Sequence, residues 1–146
     1  MMDAFGNHPF QLAEFYLAEI YITINHVLER MDKLLDSKAL LDLIVDALQD
    51  KKGKEISIIN IENISILADY FVICSGTSTT HLKALADSVE EKTEESGYTL
   101  LHKEGYNSFR WILLDFGEVV VHIFHDEDRK FYNLERLWSD GIITYK

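Results

Sequence analysis

The sequence predicts an α/β domain in which a mixed sheet of about five strands is flanked by helices, and three observations lead there. Runs rich in β-branched and aromatic residues recur at Ile56 to Ile61, Tyr70 to Cys74, Phe109 to Asp115 and Glu118 to Phe124. Between and around them lie segments whose apolar residues repeat every three or four positions, the period of a helix that buries one face. Helix-type and strand-type segments alternate along the chain, and glycine or serine marks several of the joins, which is the pattern of helices packed on a sheet.

In chain order, Leu17, Ile20, Ile24, Leu28 and Met31 recur at helical spacing from about Pro9 to Met31, and Phe10, Phe15, Tyr21 and Ile22 widen the stripe. A helix with that much apolar surface packs on the domain, pairs with another copy, or holds a partner. Ser37 is a suitable N-cap for a second helix, in which Leu40, Leu41, Ile44, Ala47 and Leu48 form the buried face before Gly53 ends it. Two strands follow, and then the turn Ser75-Gly76-Thr77-Ser78 opens a third helix with Leu82, Leu85, Ala86 and Val89 on its inner side, ending near Gly97. Tyr98 to Leu101 reads as a short strand and Gly105 to Ser108 as a loop. After the hairpin, a last helix from about Glu127 to Trp138 places Phe131, Leu134 and Trp138 on one side. The expected organisation is an extra helical segment over 1–35, one domain over 36–140 and a tail over 141–146.

Composition narrows the function. With 146 residues, 47% of them hydrophobic and only one a proline, the chain can bury a substantial core. Its formal charge of -11 repels phosphates, so little direct RNA binding is expected and a basic protein suits it better as a partner. Lys51, Lys52 and Lys54 surround Gly53 at an expected helix end, where cations complement the helix dipole. Cys74 is the only cysteine, which excludes disulfides within the chain and cysteine clusters for metal and fits a reducing, cytoplasmic setting. The first residues lack a basic n-region and the apolar stretch after them carries Glu14 and Glu19, so neither a signal peptide nor a membrane span is expected.

The hairpin carries the most specific structural information. If Phe116 and Gly117 form a two-residue turn, Asp115 pairs with Glu118, Leu113 with Val120, Trp111 with His122, and Phe109 with Phe124. Arg110, Ile112, Leu114, Val119, Val121 and Ile123 then share one face, a mostly aliphatic set suited to a core. The other face collects Phe109, Trp111, Leu113, Val120, His122 and Phe124, and is either covered by a helix or is a docking surface with a tryptophan anchor.

Catalytic patterns find little support. His122 and His125 are three apart on an expected strand and so point to opposite faces, unable to share a metal. Asp115-Phe116-Gly117 spells a kinase tripeptide without the other kinase motifs and reads as a turn. Ser75 to Ser78 offers backbone amides to an anion, but capping by Thr77 or Ser78 accounts for the same residues. Asp126-Glu127-Asp128 has the spacing of a magnesium-binding carboxylate pair but sits about fifty residues after the Gly-Thr-Ser turn and in a loop, and Cys74 lies in an apolar strand.

Several blocks in one register resemble the Iojap-type ribosomal silencing factors: Leu67 to His81, Glu104-Gly105, Trp111 to Asp115, Gly117 to Phe124 and Arg129 to Trp138. The resemblance covers about Lys38 to Trp138, leaving Met1 to about Leu35 as an addition to the family pattern. It implies a nucleotidyltransferase-like fold without the catalytic carboxylates, no enzymatic activity and no cofactor. It also implies binding to the large ribosomal subunit through its fourteenth protein, a basic β-barrel on the face that meets the small subunit, so that subunit joining is hindered when nutrients are scarce. On the face defined by the hairpin, Trp111, Leu113 and His122 become the expected anchor, with Asp115, Glu104 and Asp69 as acidic partners for basic residues. The rival expectations are a nucleotide-handling enzyme and a dimerisation module whose first helix supplies the contact of a homodimer.

Overall fold

The structure, a computed structural model, describes residues 9–108 and 110–146. Phe109, expected opposite Phe124, and the Phe10 side chain lie outside the described residues. Helix α1 (Pro9–Asp50) leads into strands β1 (Lys54–Asn60) and β2 (Tyr70–Gly76), helix α2 (Thr79–Glu95), and strands β3 (His102–Glu104), β4 (Trp111–Asp115) and β5 (Val119–His125). Helices α3 (Asp126–Tyr132) and α4 (Leu134–Leu137) and strand β6 (Ile142–Tyr145) complete the order. The chain divides into two compact units, the first ending at Asp36 and the second spanning Ser37–Lys146.

In the second unit, six strands form one sheet in the order β3-β4-β5-β2-β1-β6. The central pair β2–β5 is parallel and every other pairing is antiparallel, the mixed sheet that the sequence predicts. The sixth strand occupies residues read from sequence as a tail, and it pairs with β1 from Ser57↔Tyr145 to Asn60↔Ile142. One sheet face packs against the later part of α1 and against α2, where Ile44, Leu48, Leu82 and Leu85 cover Val72, Ile112, Leu114 and Ile123. These side chains are all but fully buried, and each contributes roughly 1.5–3 kcal/mol over exposure. The opposite face holds a smaller cluster in which Ile59, Ile61, Phe71, Ile73 and Phe124 meet Leu134.

Three local expectations are corrected. Ser37 does not start a helix: α1 continues through it, because Leu34, Leu35, Lys38 and Ala39 around it are good helix formers with no breaker among them. Its buried hydroxyl instead donates to a Glu118 carboxylate oxygen at 2.8 Å and approaches Asp69 Oδ2 at 3.4 Å. The β4–β5 register is displaced by two residues, with Trp111↔Phe124, Leu113↔His122 and Asp115↔Val120. Gly117, at φ 88°, takes the first central position of the turn with Glu118 second, and Phe116, paired with Val119 through N–H to O at 2.9 Å, turns its ring into the core. A displacement of two preserves which face each side chain occupies. The last helix is split, because Asn133 adopts a left-handed conformation (φ 45°, ψ 60°) that asparagine tolerates better than most residues.

Candidate functional site

Sheet register places the expected site residues in rows. Glu104, Leu113 and His122 lie side by side across β3, β4 and β5, continuing to Ile73 on β2. The next row holds His102, Asp115, Val120 and Phe71, and Trp111 stands beside Phe124. Cover along this face fades from the sheet centre outward. Phe71, Ile73, His122 and Phe124 are buried, Trp111, Leu113, Asp115 and Val120 are half-buried, and His102 and Glu104 are exposed. The reason lies in the helices: Leu134 and Trp138 cover the β2–β5 part, with Trp138 edge-on to Phe71 at 5.2 Å between ring centroids. Thus the face is neither wholly covered nor wholly open; it is a covered aromatic floor with a half-open margin on β4.

Trp111 is held in place from three sides. Its ring stacks on Phe124 at 4.7 Å and meets Tyr132 of α3 at 4.9 Å, and its indole Nε1–H donates to His122 Nδ1 at 3.2 Å. His122 lies edge-on to Phe71 at 5.0 Å. Burial pushes the imidazole pKa down to about 4, with the Glu135 charge opposing the shift, so the ring is neutral around pH 7. A half-buried tryptophan locked in one orientation is the kind of side chain that anchors an interface, because little conformational entropy remains to be lost when a partner covers it.

The acidic residues divide. Glu104 accepts from His102 at 2.6 Å, and the Asp115 carboxylate accepts from the Gly117 amide at 2.7 Å, and both flank the Leu113 position by register. Asp69 is directed elsewhere, its carboxylate near Ser37 of α1, on the helix-covered side of the sheet. The structure therefore brings Trp111, Leu113, His122, Glu104 and Asp115 to one face and leaves Asp69 outside that group.

Sequence reasoning missed Arg129. This α3 residue is buried, and its guanidinium donates to Glu135 Oε1 at 2.7 Å, to the Ser75 hydroxyl at 2.9 Å and to the Lys54 carbonyl at 3.3 Å. Burial pushes the Glu135 carboxyl up, but hydrogen bonds from Arg129, its own backbone amide and Ser57, with the Arg129 charge, together outweigh it and hold the pKa below the usual glutamate range. The network ties the helices that cover the aromatic floor to β1 and β2. Its one trace in the sequence is the pair Ser57 and Ser75, hydroxyls inside otherwise apolar strand segments.

The catalytic patterns are occupied otherwise. Ser78 caps α2 by accepting from the His81 amide at 3.1 Å, and the Thr77 amide donates to His81 Nδ1 at 3.0 Å, so those amides already have acceptors. Asp126 faces Lys54 at 3.6 Å and Asp128 faces Arg110 at 3.1 Å, and His125 Nδ1 caps α3. Burial raises the Cys74 thiol to about 12, far from a reactive thiolate. Among the described residues, no group of histidine, cysteine and carboxylate side chains is arranged to hold a metal, and no helix is long and apolar enough to cross a membrane.

Comparison with known proteins gives a consistent result. The family described as "Ribosomal silencing factor during starvation" matches residues 35–144. A "Ribosomal silencing factor RsfS" of Halalkalibacterium halodurans is 42% identical over 107 residues, covering 73% of this chain and 92% of that protein. The mouse protein named "Mitochondrial assembly of ribosomal large subunit protein 1" is 33% identical over 110 residues, covering 72% of this chain and 47% of its own length. A crystal structure from Chromobacterium violaceum superposes with a TM-score of 0.69 at 35% identity, covering 70% of this chain and 85% of that one.

Proposed function

The chain belongs to the ribosomal silencing factor family, and from that membership we propose that it binds the large ribosomal subunit and sterically blocks joining of the small subunit, repressing translation under nutrient limitation. It acts by occupying a surface, without catalysis or a cofactor, among cytoplasmic ribosomes. The family-like unit from about Ser37 onward does the binding, and residues 1–35 are an addition to it. The partner on the large subunit is its basic fourteenth protein, and the docking face is the half-open margin around Trp111 and Leu113, with Glu104 and Asp115 meeting basic side chains and His122 holding the indole from beneath.

The observation that carries this reading is the state of Trp111: fixed by Phe124, Tyr132 and His122 on its inner side, yet half-exposed on a face bordered by carboxylates. An acidic chain of net charge -11 approaching a basic protein gains association rate and orientation from complementary charge, while a half-exposed tryptophan that the partner covers supplies affinity. The engagement of Asp126 and Asp128 with Lys54 and Arg110 further favours occlusion over magnesium-dependent nucleotide chemistry.

The test is co-sedimentation of the full chain with large subunits, small subunits and joined ribosomes, beside the variants Trp111→Ala and Leu113→Glu. Selective binding to large subunits, weakened about thirtyfold or more by Trp111→Ala, is the expected result, since truncating an interface anchor costs about 2 kcal/mol or more. Leu113→Glu, half-buried at the start, checks the face without removing the aromatic packing. Binding that ignores both substitutions overturns the docking face; no selective binding overturns the function.

A further inference from the structure

We propose that the helical segment ahead of the silencing-factor domain assembles copies of this chain into a bundle of more than two helices. In the first unit, helix α1 carries a seven-residue repeat on both sides of a shared row. Leu17, Ile24 and Met31 form that row. Ile20, Val27 and Leu34 flank it three residues on, and Tyr21, Leu28 and Leu35 flank it four residues on. All nine are exposed in the single chain, between 39% for Leu34 and 67% for Tyr21. Asn25, His26, Asp32 and Lys33 occupy the opposite side, which Phe15 and Ile22 share nearer the start of the helix, while Tyr16 adjoins the apolar face.

The pattern specifies what covers it. A two-stranded coiled coil needs one apolar seam, with two positions in seven, whereas three in seven is the face of a helix that touches two neighbours. Leu17 with Ile20, and Ile24 with Val27, place a β-branched residue three residues on from the shared row, which favours three or four strands over two. A seven-residue repeat is complementary to itself, so a second copy matches it without further design. The nine side chains expose on the order of 1,000 Å² per chain, above the roughly 800 Å² per partner of a stable interface. Finally, the family match begins at residue 35, so all of the nine side chains but Leu35 lie ahead of the part shared with the relatives.

Sedimentation equilibrium of the full chain at micromolar concentration tests this directly and requires no ribosome, so its outcome is separate from that of the silencing function. A mass of three or four chains is expected for the unaltered protein. Ile24→Asp, in the shared row, is expected to weaken assembly at least a hundredfold, while His26→Asp on the opposite side leaves it unchanged; circular dichroism of both variants checks that the helix and domain remain folded. A monomer at all concentrations overturns self-assembly, a dimer overturns the double seam, and an Ile24→Asp protein that is folded and still assembles overturns the assigned face.

Discussion

The indole Nε1–H of Trp111 donates to Nδ1 of His122 at 3.2 Å, which leaves the imidazole proton on Nε2, a buried nitrogen with no hydrogen-bond partner among the described residues. Protonating His122 would turn Nδ1 from acceptor to donor and set two N–H groups against each other. The one arrangement that orients the tryptophan therefore also commits the histidine to its neutral form.

A pH dependence follows. The folded pKa of about 4 lies below the ordinary 6.5, so the unfolded chain binds the proton first as pH falls. The stability contributed by neutral His122 is complete above about pH 6.5 and is lost progressively down to about pH 4, in total about 3 kcal/mol. In urea titrations from pH 7.5 to 4, His122→Leu is expected to show a correspondingly shallower loss of stability than the unaltered chain.

Arg129 with Glu135 provides a second expectation. Removing the guanidinium by Arg129→Ala strands a largely buried carboxylate and is expected to cost about 3–5 kcal/mol. The double variant Arg129→Met with Glu135→Leu removes both charges and should recover much of that loss. A urea double-mutant cycle reads the coupling, and equal losses in the single and double variants would contradict the ion-pair account.

Gly105 tests how the β3–β4 connection holds the site. Its φ is 73°, and a Cβ there would fall 2.1 Å from the Trp111 carbonyl oxygen. Gly105→Ala is expected to destabilise the domain by more than the ~1 kcal/mol of positive φ alone and to shift Trp111 fluorescence. Gly97→Ala is the contrast: φ is similar at 86°, but no atom lies within 4 Å, so only the conformational cost of about 1 kcal/mol applies.

Charge at the rim should act on association. Glu104→Lys is expected to lower the rate of binding to large subunits several-fold at low salt, with the difference shrinking as salt rises, while dissociation changes little. Stopped-flow mixing over a salt series distinguishes this from loss of an anchor, which would appear in dissociation.

Much of this architecture was legible in the sequence because side-chain alternation along a strand survives errors of register. Trp111, Leu113, Val120, His122 and Phe124 share one face under either pairing, since the displacement is two residues. The register itself was not legible: both Phe116-Gly117 and Gly117-Glu118 are acceptable two-residue turns, and burial of the Phe116 ring decides between them. Ser37 misled because a serine before an apolar run has the form of a cap, and only the approach of Glu118 and Asp69, 81 and 32 positions away, gives its hydroxyl other acceptors. The network around Arg129 was invisible for the same reason, its partners Ser57 and Ser75 being more than fifty residues distant.

The parallel pairing of β2 with β5 at the sheet centre has a consequence for how the domain forms. The two strands are separated by α2, β3 and β4, so aligning Tyr70 with Val119 requires a long loop to close before any of the pair's contacts reward it. α2 and the β4–β5 hairpin need no long loop to close, so the central alignment is the step expected to set the folding rate. Trp111 reaches its oriented state only when β5 and α3 are together, so a half-folded chain lacks the fixed indole on which the proposed docking face depends.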